Sequence, residues 1–496
     1  MLKIGLTNWI VLLKYCCTAV VLALLLTSVP SSASTADQPG AFSTFSPSFT
    51  HTLAIASDGT VWAWGDNSRG ELGNGETSMG YISHPVQVKG LTNAVSVAAG
   101  SYFSLAVKDD GTVWAWGDNS RGQLGLGSAD TASRSSPAQI SGFTGVKEVK
   151  SAFSNAMALK TDGTVWSWGP NAHGEAGDGK PIDIPAGSPG YDTQNRPYPC
   201  QVTGLDHIIS IAIAGDHLAL KSDGTIWGWG TTNPQLGEWW DQHKDTEYTS
   251  TPVLVAHVDD AIKVAGYGGS FNALVLKKDG TVWSWGENKF DALGLGKDDE
   301  AYYTLTPTAV QGLPRIIDIA SGPYSVVLAD DGTLWAWGWN QFYASGISTP
   351  GNICSPVQVS GISGVSHLFV SGYSNYAIDN SMSVWAWGLN NNGQLGDIAT
   401  SDRTSVSAPT KVTTSGISAN TTDMTPDPAV VTAQVQIETP AASPTNVTSQ
   451  PATATSTVIQ SPTGANPMSG FGYTTASLAI VSAIGLSLIA QRYRGA

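Results

Sequence analysis

Residues able to do acid–base or metal chemistry are few in this chain and irregularly spaced. There are 8 histidines in 496 residues, with no His-x-x-x-His or Cys-x-x-Cys pair and no recurring carboxylate pair outside a repeated turn. Metal sites and general acid–base catalysis need such groups at short, suitable spacing. Four of the histidines lie in neighbouring repeats but at unequal intervals: His173, His207, His217 and His243. We therefore predict no catalytic residues, no metal site and no cofactor, and a protein that is not an enzyme.

A second pattern, aromatic residues beside acids, is typical of a binding surface. Tyrosine and tryptophan in loops anchor protein partners and also stack on sugar rings. The candidate ligand-binding residues are Tyr191, Tyr198, Trp239, Trp240, Tyr248, Tyr302, Tyr303, Trp339, Phe342 and Tyr343. The neighbouring acids are Glu238, Asp241, Asp245, Glu247, Asp298, Asp299 and Glu300. The alternative interpretation is that these long loops bury their own aromatic side chains for stability.

The elements that would position these residues belong to a repeat. A variant of Asp-Gly-Thr-Val-Trp-Ala-Trp-Gly occurs seven times, first at 58–65 and last, with Ser-Met in place of Asp-Gly, at 381–388. A period near 50 residues predicts a propeller or a solenoid. The second tryptophans of the seven copies are Trp64, Trp116, Trp168, Trp229, Trp285, Trp337 and Trp387.

Each repeat reads as four short strands, most clearly in the second copy. Asp110 and Gly111 lie between two apolar runs and predict a hairpin turn, because glycine tolerates the positive φ that a tight hairpin needs. Side chains alternate along a strand, so Trp114 and Trp116 share one face and are expected to pack between adjacent blades. Recurrence in every repeat favours a packing role for these tryptophans over a ligand platform.

The repeats stop agreeing with one another after the Trp-Gly strand, in copies three to six. Copy three expands at 178–199, copy four at 238–250 and copy five at 297–304. A glycine of the turn that follows is replaced by Asp291 in copy five and by Tyr343 in copy six. Equivalent loops of a propeller emerge on the same side, so we predict that they form one continuous rim carrying the aromatic candidates.

Composition and charge narrow the range of partners. The net charge is −15, with 39 acidic residues against 24 basic ones and no basic run, which argues against nucleic-acid binding. The N-terminal segment 1–33 has the lysines, apolar stretch and small residues of a signal peptide. Export would permit a disulfide, but Cys200 and Cys354 belong to distant repeats, so we predict none between them. We expect a monomer.

Four motifs together carry a family resemblance: Gly-x-x-x-Ser-Leu-Ala-Val, Asp-Gly-Thr-Val-Trp-Ala-Trp-Gly, Asn-x-x-Gly-Gln-Leu-Gly and Pro-x-x-Val. Over about residues 41–416 they resemble the repeat of the regulator-of-chromosome-condensation family. The resemblance implies an all-β, seven-bladed β-propeller with four antiparallel strands per blade. The founding member is a nuclear exchange factor for a small GTPase, which an exported protein would not meet. Secreted prokaryotic propellers of this repeat include a proteinaceous inhibitor of β-lactamases, and we expect an exported prokaryotic member here.

The composition changes abruptly after the propeller. Residues 417–469 are rich in Ser, Thr and Pro and predict a disordered stalk, with the two glycosylation sequons of the chain at Asn420 and Asn446. Segment 470–496 contains an apolar stretch at 471–490 followed by Arg492 and Arg494, which predicts a membrane anchor with the propeller outside. Its Ser-Gly-Phe start also resembles C-terminal sorting signals of archaeal surface proteins, so retention and processing of this helix both stay open.

These expectations leave three functions. The first is a cell-surface recognition or adhesion module that binds an extracellular protein or carbohydrate through the loops of repeats three to six. The second is an extracellular enzyme inhibitor or hydrolase that uses the propeller face. The third is a structural protein of the cell envelope. A carboxylate or histidine pair in the central channel would favour a hydrolase, and exposed aromatic residues on the rim would favour recognition.

Overall fold

The computed structural model describes residues 41–127, 130–180, 195–213, 216–267, 270–296, 302–396 and 405–412. In this part of the chain, 28 strands form seven four-stranded antiparallel sheets, each built from four consecutive strands. The predicted seven-bladed, all-β propeller is confirmed. The expected signal peptide, stalk, glycosylation sites Asn420 and Asn446, and C-terminal anchor lie outside the described residues.

The first three blades follow the repeat closely. Blade one contains β1 (Phe42–Pro47), β2 (His51–Ala56), β3 (Val61–Gly65) and β4 (Ile82–Gln87). Blade two contains β5 (Ala94–Ala99), β6 (Phe103–Lys108), β7 (Val113–Gly117) and β8 (Arg134–Gln139). Blade three contains β9 (Val146–Ala152), β10 (Asn155–Lys160), β11 (Val165–Gly169) and β12 (Arg196–Gln201).

The other four blades keep the same strand order. Blade four contains β13 (Ile208–Ile213), β14 (His217–Lys221), β15 (Thr225–Thr231) and β16 (Tyr248–His257). Blade five contains β17 (Ala261–Tyr267), β18 (Ser270–Lys277), β19 (Val282–Glu287) and β20 (Tyr303–Ala309). Blade six contains β21 (Ile316–Ser321), β22 (Tyr324–Ala329), β23 (Leu334–Gly338) and β24 (Ile353–Gln358). Blade seven contains β25 (Val365–Ser371), β26 (Ser374–Asp379), β27 (Val384–Leu389) and β28 (Ser405–Lys411).

The second tryptophan of each motif is fully buried and connects its blade to the preceding one. The indole Nε1 of Trp116 donates to the carbonyl oxygen of Glu71 at 2.8 Å, and that of Trp168 to Gln123 at 2.9 Å. Trp229, Trp285 and Trp337 make the equivalent bonds to the blade before them. The predicted packing role of these tryptophans is confirmed.

A glycine lets five of the seven tryptophans approach the neighbouring loop. A Cβ atom added at Gly73, whose φ is +67°, would lie 2.6 Å from Nε1 of Trp116. Gly125, Gly177 and Gly294 face the next tryptophan in the same way. Any larger residue would collide with the indole that joins the blades, and φ here also favours glycine.

The ring closes between blades one and seven through the same type of indole-to-carbonyl hydrogen bond that joins other neighbouring blades. The indole of Trp64 in blade one donates to the carbonyl oxygen of Gln394 in blade seven at 3.1 Å. The Gln394 amide returns a bond to the Phe49 carbonyl at 3.2 Å. Phe45 of β1 stacks on Tyr376 of β26, with centroids 4.7 Å apart. Closure therefore comes from side-chain packing and hydrogen bonds between complete blades.

The repeated Asp-Gly pair makes the turn between the second and third strands. Asp110 accepts hydrogen bonds from the backbone and hydroxyl of Thr112 at 2.9 and 2.6 Å, and these bonds lower the pKa of its carboxyl. Where the seventh copy lacks Asp-Gly, Met382 adopts a φ of +63° and Asp379 caps the turn. The turn geometry thus survives the loss of its glycine at the cost of an unfavourable backbone conformation.

Every outermost strand carries a proline, at Pro85, Pro137, Pro199, Pro252, Pro307, Pro356 and Pro409. Proline has no amide hydrogen, so it interrupts the row of donors that an edge strand would otherwise offer to another chain. Cys200 and Cys354 lie on two of these strands, in blades three and six, as free thiols. The described residues include no helix long and apolar enough to cross a bilayer.

A first prediction concerns the indole bonds between blades. Replacing Trp116 with Phe removes a donor that is bonded at 2.8 Å. Replacing Trp387 with Phe removes a buried indole nitrogen that has no hydrogen-bond partner, and the Ala344 carbonyl accepts instead from Asn375 at 2.8 Å. Denaturant unfolding should show a larger loss of stability for Trp116→Phe, by on the order of 1–2 kcal/mol. Equal losses would mean that ring packing alone joins the blades.

A second prediction concerns Glu71, whose side chain is buried beneath the blade-one loop. Burial raises its pKa to about 7, from an ordinary value of 4.5. The unfolded chain loses this proton at lower pH than the folded protein does, so stability should fall as pH rises from about 4.5 to about 7. Glu71→Gln should remove this loss and stabilise the fold at pH 8 by about 2 kcal/mol, with little effect at pH 4.5.

Blade two supplies the matched control for this substitution, because Gln123 occupies the equivalent position. Its Oε1 accepts from the Arg121 amide at 2.8 Å and its Nε2 donates to Asp118 at 2.9 Å. Gln123→Glu should introduce the pH dependence that Glu71→Gln removes. Unfolding curves at pH 4.5 and 8 measure both, and identical pH dependence in the two variants would contradict the assignment.

Candidate functional site

Because the strands within each blade are antiparallel, the connections between them alternate between the two faces of the propeller. Turns between the first and second strands, and loops between the third and fourth, open at one end of the propeller; we call this end the loop face. The Asp-Gly turns open at the other end, where β1 begins and β28 ends. The described parts of the loops that vary among repeats three to six all belong to the loop face, as their common position after the Trp-Gly strand predicts.

The blade-four loop folds into a short helix, Glu238–Gln242, after a single 3-10 turn at Pro234–Leu236. Trp239 stacks on His243 with centroids 4.1 Å apart, and Trp240 meets Tyr303 edge to face at 5.2 Å. Both tryptophans are half-buried against the apolar core of blades four and five. Trp239 and Trp240 therefore contribute to packing, as the alternative interpretation of these loops expects. Their role in binding stays a prediction.

Several predicted loop tyrosines lie at or inside strands. Pairing of Gly169 with Arg196 starts β12 early, so Tyr198 lies on the outermost strand of blade three, 48% exposed, and not on a loop. Tyr248 and Tyr303 begin β16 and β20 because they pair with the third strands of their blades. Tyr302 is 62% exposed just before β20. Tyr191 lies outside the described residues.

Nearer the centre of the loop face, six aromatic rings form a connected series that we call the aromatic strip. Phe153 stacks on Phe49 at 6.3 Å, and Phe49 meets Tyr373 edge to face at 5.2 Å. Tyr373 contacts both Phe342 and Trp339 at 5.5 Å, and Trp339 stacks on Phe290 at 4.9 Å. The strip comprises Phe49, Phe153, Phe290, Trp339, Phe342 and Tyr373. It joins loops and turns of five blades, and two predicted residues, Trp339 and Phe342, belong to it.

The most exposed rings of the strip stand on strained backbone. Phe153, Phe290 and Phe342 have φ values of +50°, +61° and +59°, and their exposed fractions are 41%, 40% and 38%. A bulky residue in this region costs on the order of 1–3 kcal/mol and persists only where its surroundings enforce it. Asp291 and Tyr343, which replace the turn glycine, share the strain at +62° and +55°. Tyr343 itself is half-buried. The rings are thus held in place before any ligand arrives.

Sequence reasoning missed Phe49, Phe153, Phe290 and Tyr373. Three of these residues lie in turns between the first and second strands, whereas the sequence pattern indicated a binding site in the loops after the Trp-Gly strand. A signal was present, because the same turn in blade two carries another exposed aromatic residue, Tyr102, 41% exposed. Aligning the repeats at this turn would have shown an aromatic residue in four of the seven copies.

The inner strands, which line the central channel, carry few ionisable groups in the part that the structure describes. Glu148 pairs with Lys150 at 2.8 Å, and Asp318 pairs with Lys263 across two blades. The described residues contain no group of three His, Cys, Asp or Glu side chains able to hold a metal ion. The channel carboxylates are thus joined to lysines, and no pair of acids faces the channel among these residues.

Two buried ionisable residues sit within blade four. Burial raises the pKa of Asp216 well above its ordinary value, and Asn233 donates to this carboxyl. Burial lowers the pKa of His217 to about 4, and its ring lies 5.5 Å from that of Trp229. Burial thus disfavours the charged form of both groups. Their immediate neighbours belong to the blade interior, which is consistent with a structural role.

Comparison with known proteins supports the repeat. The profile described as Regulator of chromosome condensation (RCC1) repeat matches residues 58–107, 110–157, 162–220, 279–329 and 383–422, and a second profile of that repeat matches 94–123 and 262–291. The chain is 28% identical over 354 residues to the human E3 ubiquitin-protein ligase HERC2, covering 70% of this chain but only 7% of HERC2. It is 28% identical over 364 residues to the ultraviolet-B receptor UVR8 of Arabidopsis thaliana, covering 70% of this chain and 76% of UVR8.

Solved structures agree on the fold. Human WBSCR16 superposes with a TM-score of 0.60 at 20% identity, covering 72% of this chain and 95% of that one. Yeast RCC1 (Prp20), in its complex with Kap60, gives 0.59 at 20% identity, covering 74% and 85%. The matched repeats span half of the sequence, and the seven blades account for their period. The chain is therefore a member of the regulator of chromosome condensation (RCC1) repeat family.

Proposed function

We propose that the propeller is a protein-recognition module that docks a partner on its loop face through the aromatic strip. The observation that carries this proposal is the connected series of six rings, three of them about two-fifths exposed on strained backbone. Exposed aromatic residues held rigidly lose little side-chain entropy on binding, which makes them effective anchors. Strain retained at one place on the fold is typical of a functional site.

Structural relatives support a protein partner. One solved structure of yeast RCC1 (Prp20) contains Kap60, and another report on Prp20p describes its binding to Gsp1p and histones. The similarity to these chains establishes only a shared fold, so it says nothing of which partner binds here. The second candidate, an extracellular enzyme inhibitor, would use the same docking surface. A hydrolase has less support, because the channel carboxylates of the described strands pair with lysines.

We also propose that the protein is exported and anchored to a membrane or cell envelope through its C-terminal segment. Support comes from the apolar stretch at 471–490 and the two arginines that follow it. An exported propeller would meet its partner outside the cell.

The strip is tested by replacing both Phe290 and Phe342 with Gly in the full-length chain. Glycine relieves the positive φ at both sites, so the free energy of unfolding should change by less than about 1 kcal/mol per site despite the lost ring contacts. Binding should fall at least tenfold, since two anchors disappear. The measurement is capture of surface proteins by the immobilised chain, followed by affinity measurement with each captured protein.

Leu254→Ala is the matched control, because Leu254 is 49% exposed on the outer strand β16, away from the strip. It should capture the same proteins as the unaltered chain. Undiminished capture by the double glycine variant would exclude the strip as the docking site. A glycan array measured in parallel distinguishes a carbohydrate ligand, which would overturn the proposal of a protein partner.

A further inference from the structure

Charge is distributed unevenly over the loop face. The blade-six loop, residues 339–352, contains no Asp, Glu, Lys, Arg or His, and neither does the described part of the blade-seven loop, residues 390–396. These segments lie beside the turns that carry Phe49 and Tyr373, which are uncharged as well. Four of the six rings of the strip, those of Trp339, Phe342, Tyr373 and Phe49, therefore occupy a sector without charged side chains in its described loops and turns.

The blade-four loop has the opposite character. All residues of 241–247 are exposed, and with Glu238 this loop carries four carboxylates against the single lysine Lys244. Lys244 lies 2.6 Å from Asp241 and its ammonium group covers the Trp240 ring at 5.1 Å. The negative charge of Glu238, Asp245 and Glu247 is therefore in excess. Blade one adds the acids Asp66 and Glu76 against the single basic residue Arg69 in the same loop.

An uncharged aromatic cluster that shares one face of the propeller with a charged loop has the composition of a protein interface. Interface cores are depleted of charge and rich in aromatic residues, because the core must lose its water on binding, while the rim stays hydrated. Charges at the rim act on the rate of association and on the choice of partner more than on final affinity. Phe290 covers one face of Trp339 at 4.9 Å, so that face is not available for stacking on a sugar ring.

From this partition we infer that the partner is a protein whose contact surface places an aromatic or large aliphatic side chain at its centre and lysine or arginine at its edge. The apolar side chain packs among Phe342, Tyr373 and Phe49, and the basic residues face the blade-four loop. This inference rests on the proposed docking function and specifies its partner class. The overall charge of −15 favours the same partner at longer range.

The experiment uses a phage-displayed library of random loop peptides, selected on the immobilised full-length chain at low ionic strength. Selected peptides should combine a positive net charge with an aromatic or large aliphatic residue. Their binding should weaken at least tenfold on the Phe290→Gly, Phe342→Gly variant. Reversal of two rim charges, Asp245→Lys with Glu247→Lys, should slow association severalfold and reduce its dependence on salt, because rim charges steer the encounter.

The controls separate this inference from the proposed function. Leu254→Ala should retain every selected peptide. Selection of acidic peptides, or of peptides without a large apolar residue, would overturn the inferred partner chemistry. So would a failure to select any peptide that depends on the strip. If the Phe290→Gly, Phe342→Gly variant still fails to capture surface proteins in those cases, the proposed docking face is retained and only the inferred partner class is rejected.

Discussion

The hydrogen bond from a buried indole to the loop carbonyl of the preceding blade is the interaction on which the rest of the structure depends. Six of the seven blades have it, including the pair of Trp64 and Gln394 that closes the ring. The bond joins a strand to a loop, so it positions the loop face as well as the blades. A rigid loop face is the condition for holding aromatic rings in place.

The same constraint explains where the repeat can vary. The glycine against the tryptophan, Gly73 in blade one, leaves no room for a side chain, and it recurs in most blades. The turn glycine three residues earlier faces the next blade and tolerates replacement at a cost. Asp291 and Tyr343 take its place with positive φ, and each follows a phenylalanine of the strip that is strained too. Backbone strain in blades five and six thus accompanies the presentation of Phe290 and Phe342.

Burial shifts the pKa values of two ionisable side chains in the scaffold. The main-chain oxygen of Glu71 accepts hydrogen bonds from Trp116 and Ser104. Its side-chain carboxyl lies in the interior, where burial raises the pKa to about 7. His51 is buried and bonded to Ser104 at 2.8 Å, and burial lowers its pKa to about 3. Burial disfavours the charged form of both groups, in accord with the cost of placing charge in a low-dielectric interior.

The sequence by itself determined the number of blades, their four strands, the hairpin at Asp110 and Gly111 and the burial of Trp116, because each depends on residues close together within one repeat. It also located the variable loops and two members of the strip, Trp339 and Phe342. Only the tertiary structure decided that Phe49 meets Phe153 and Tyr373. Those contacts arise because ring closure brings turns of distant blades together at the channel mouth. Tyr198 lies on an outer strand because of strand pairing, which the length of the loop does not determine.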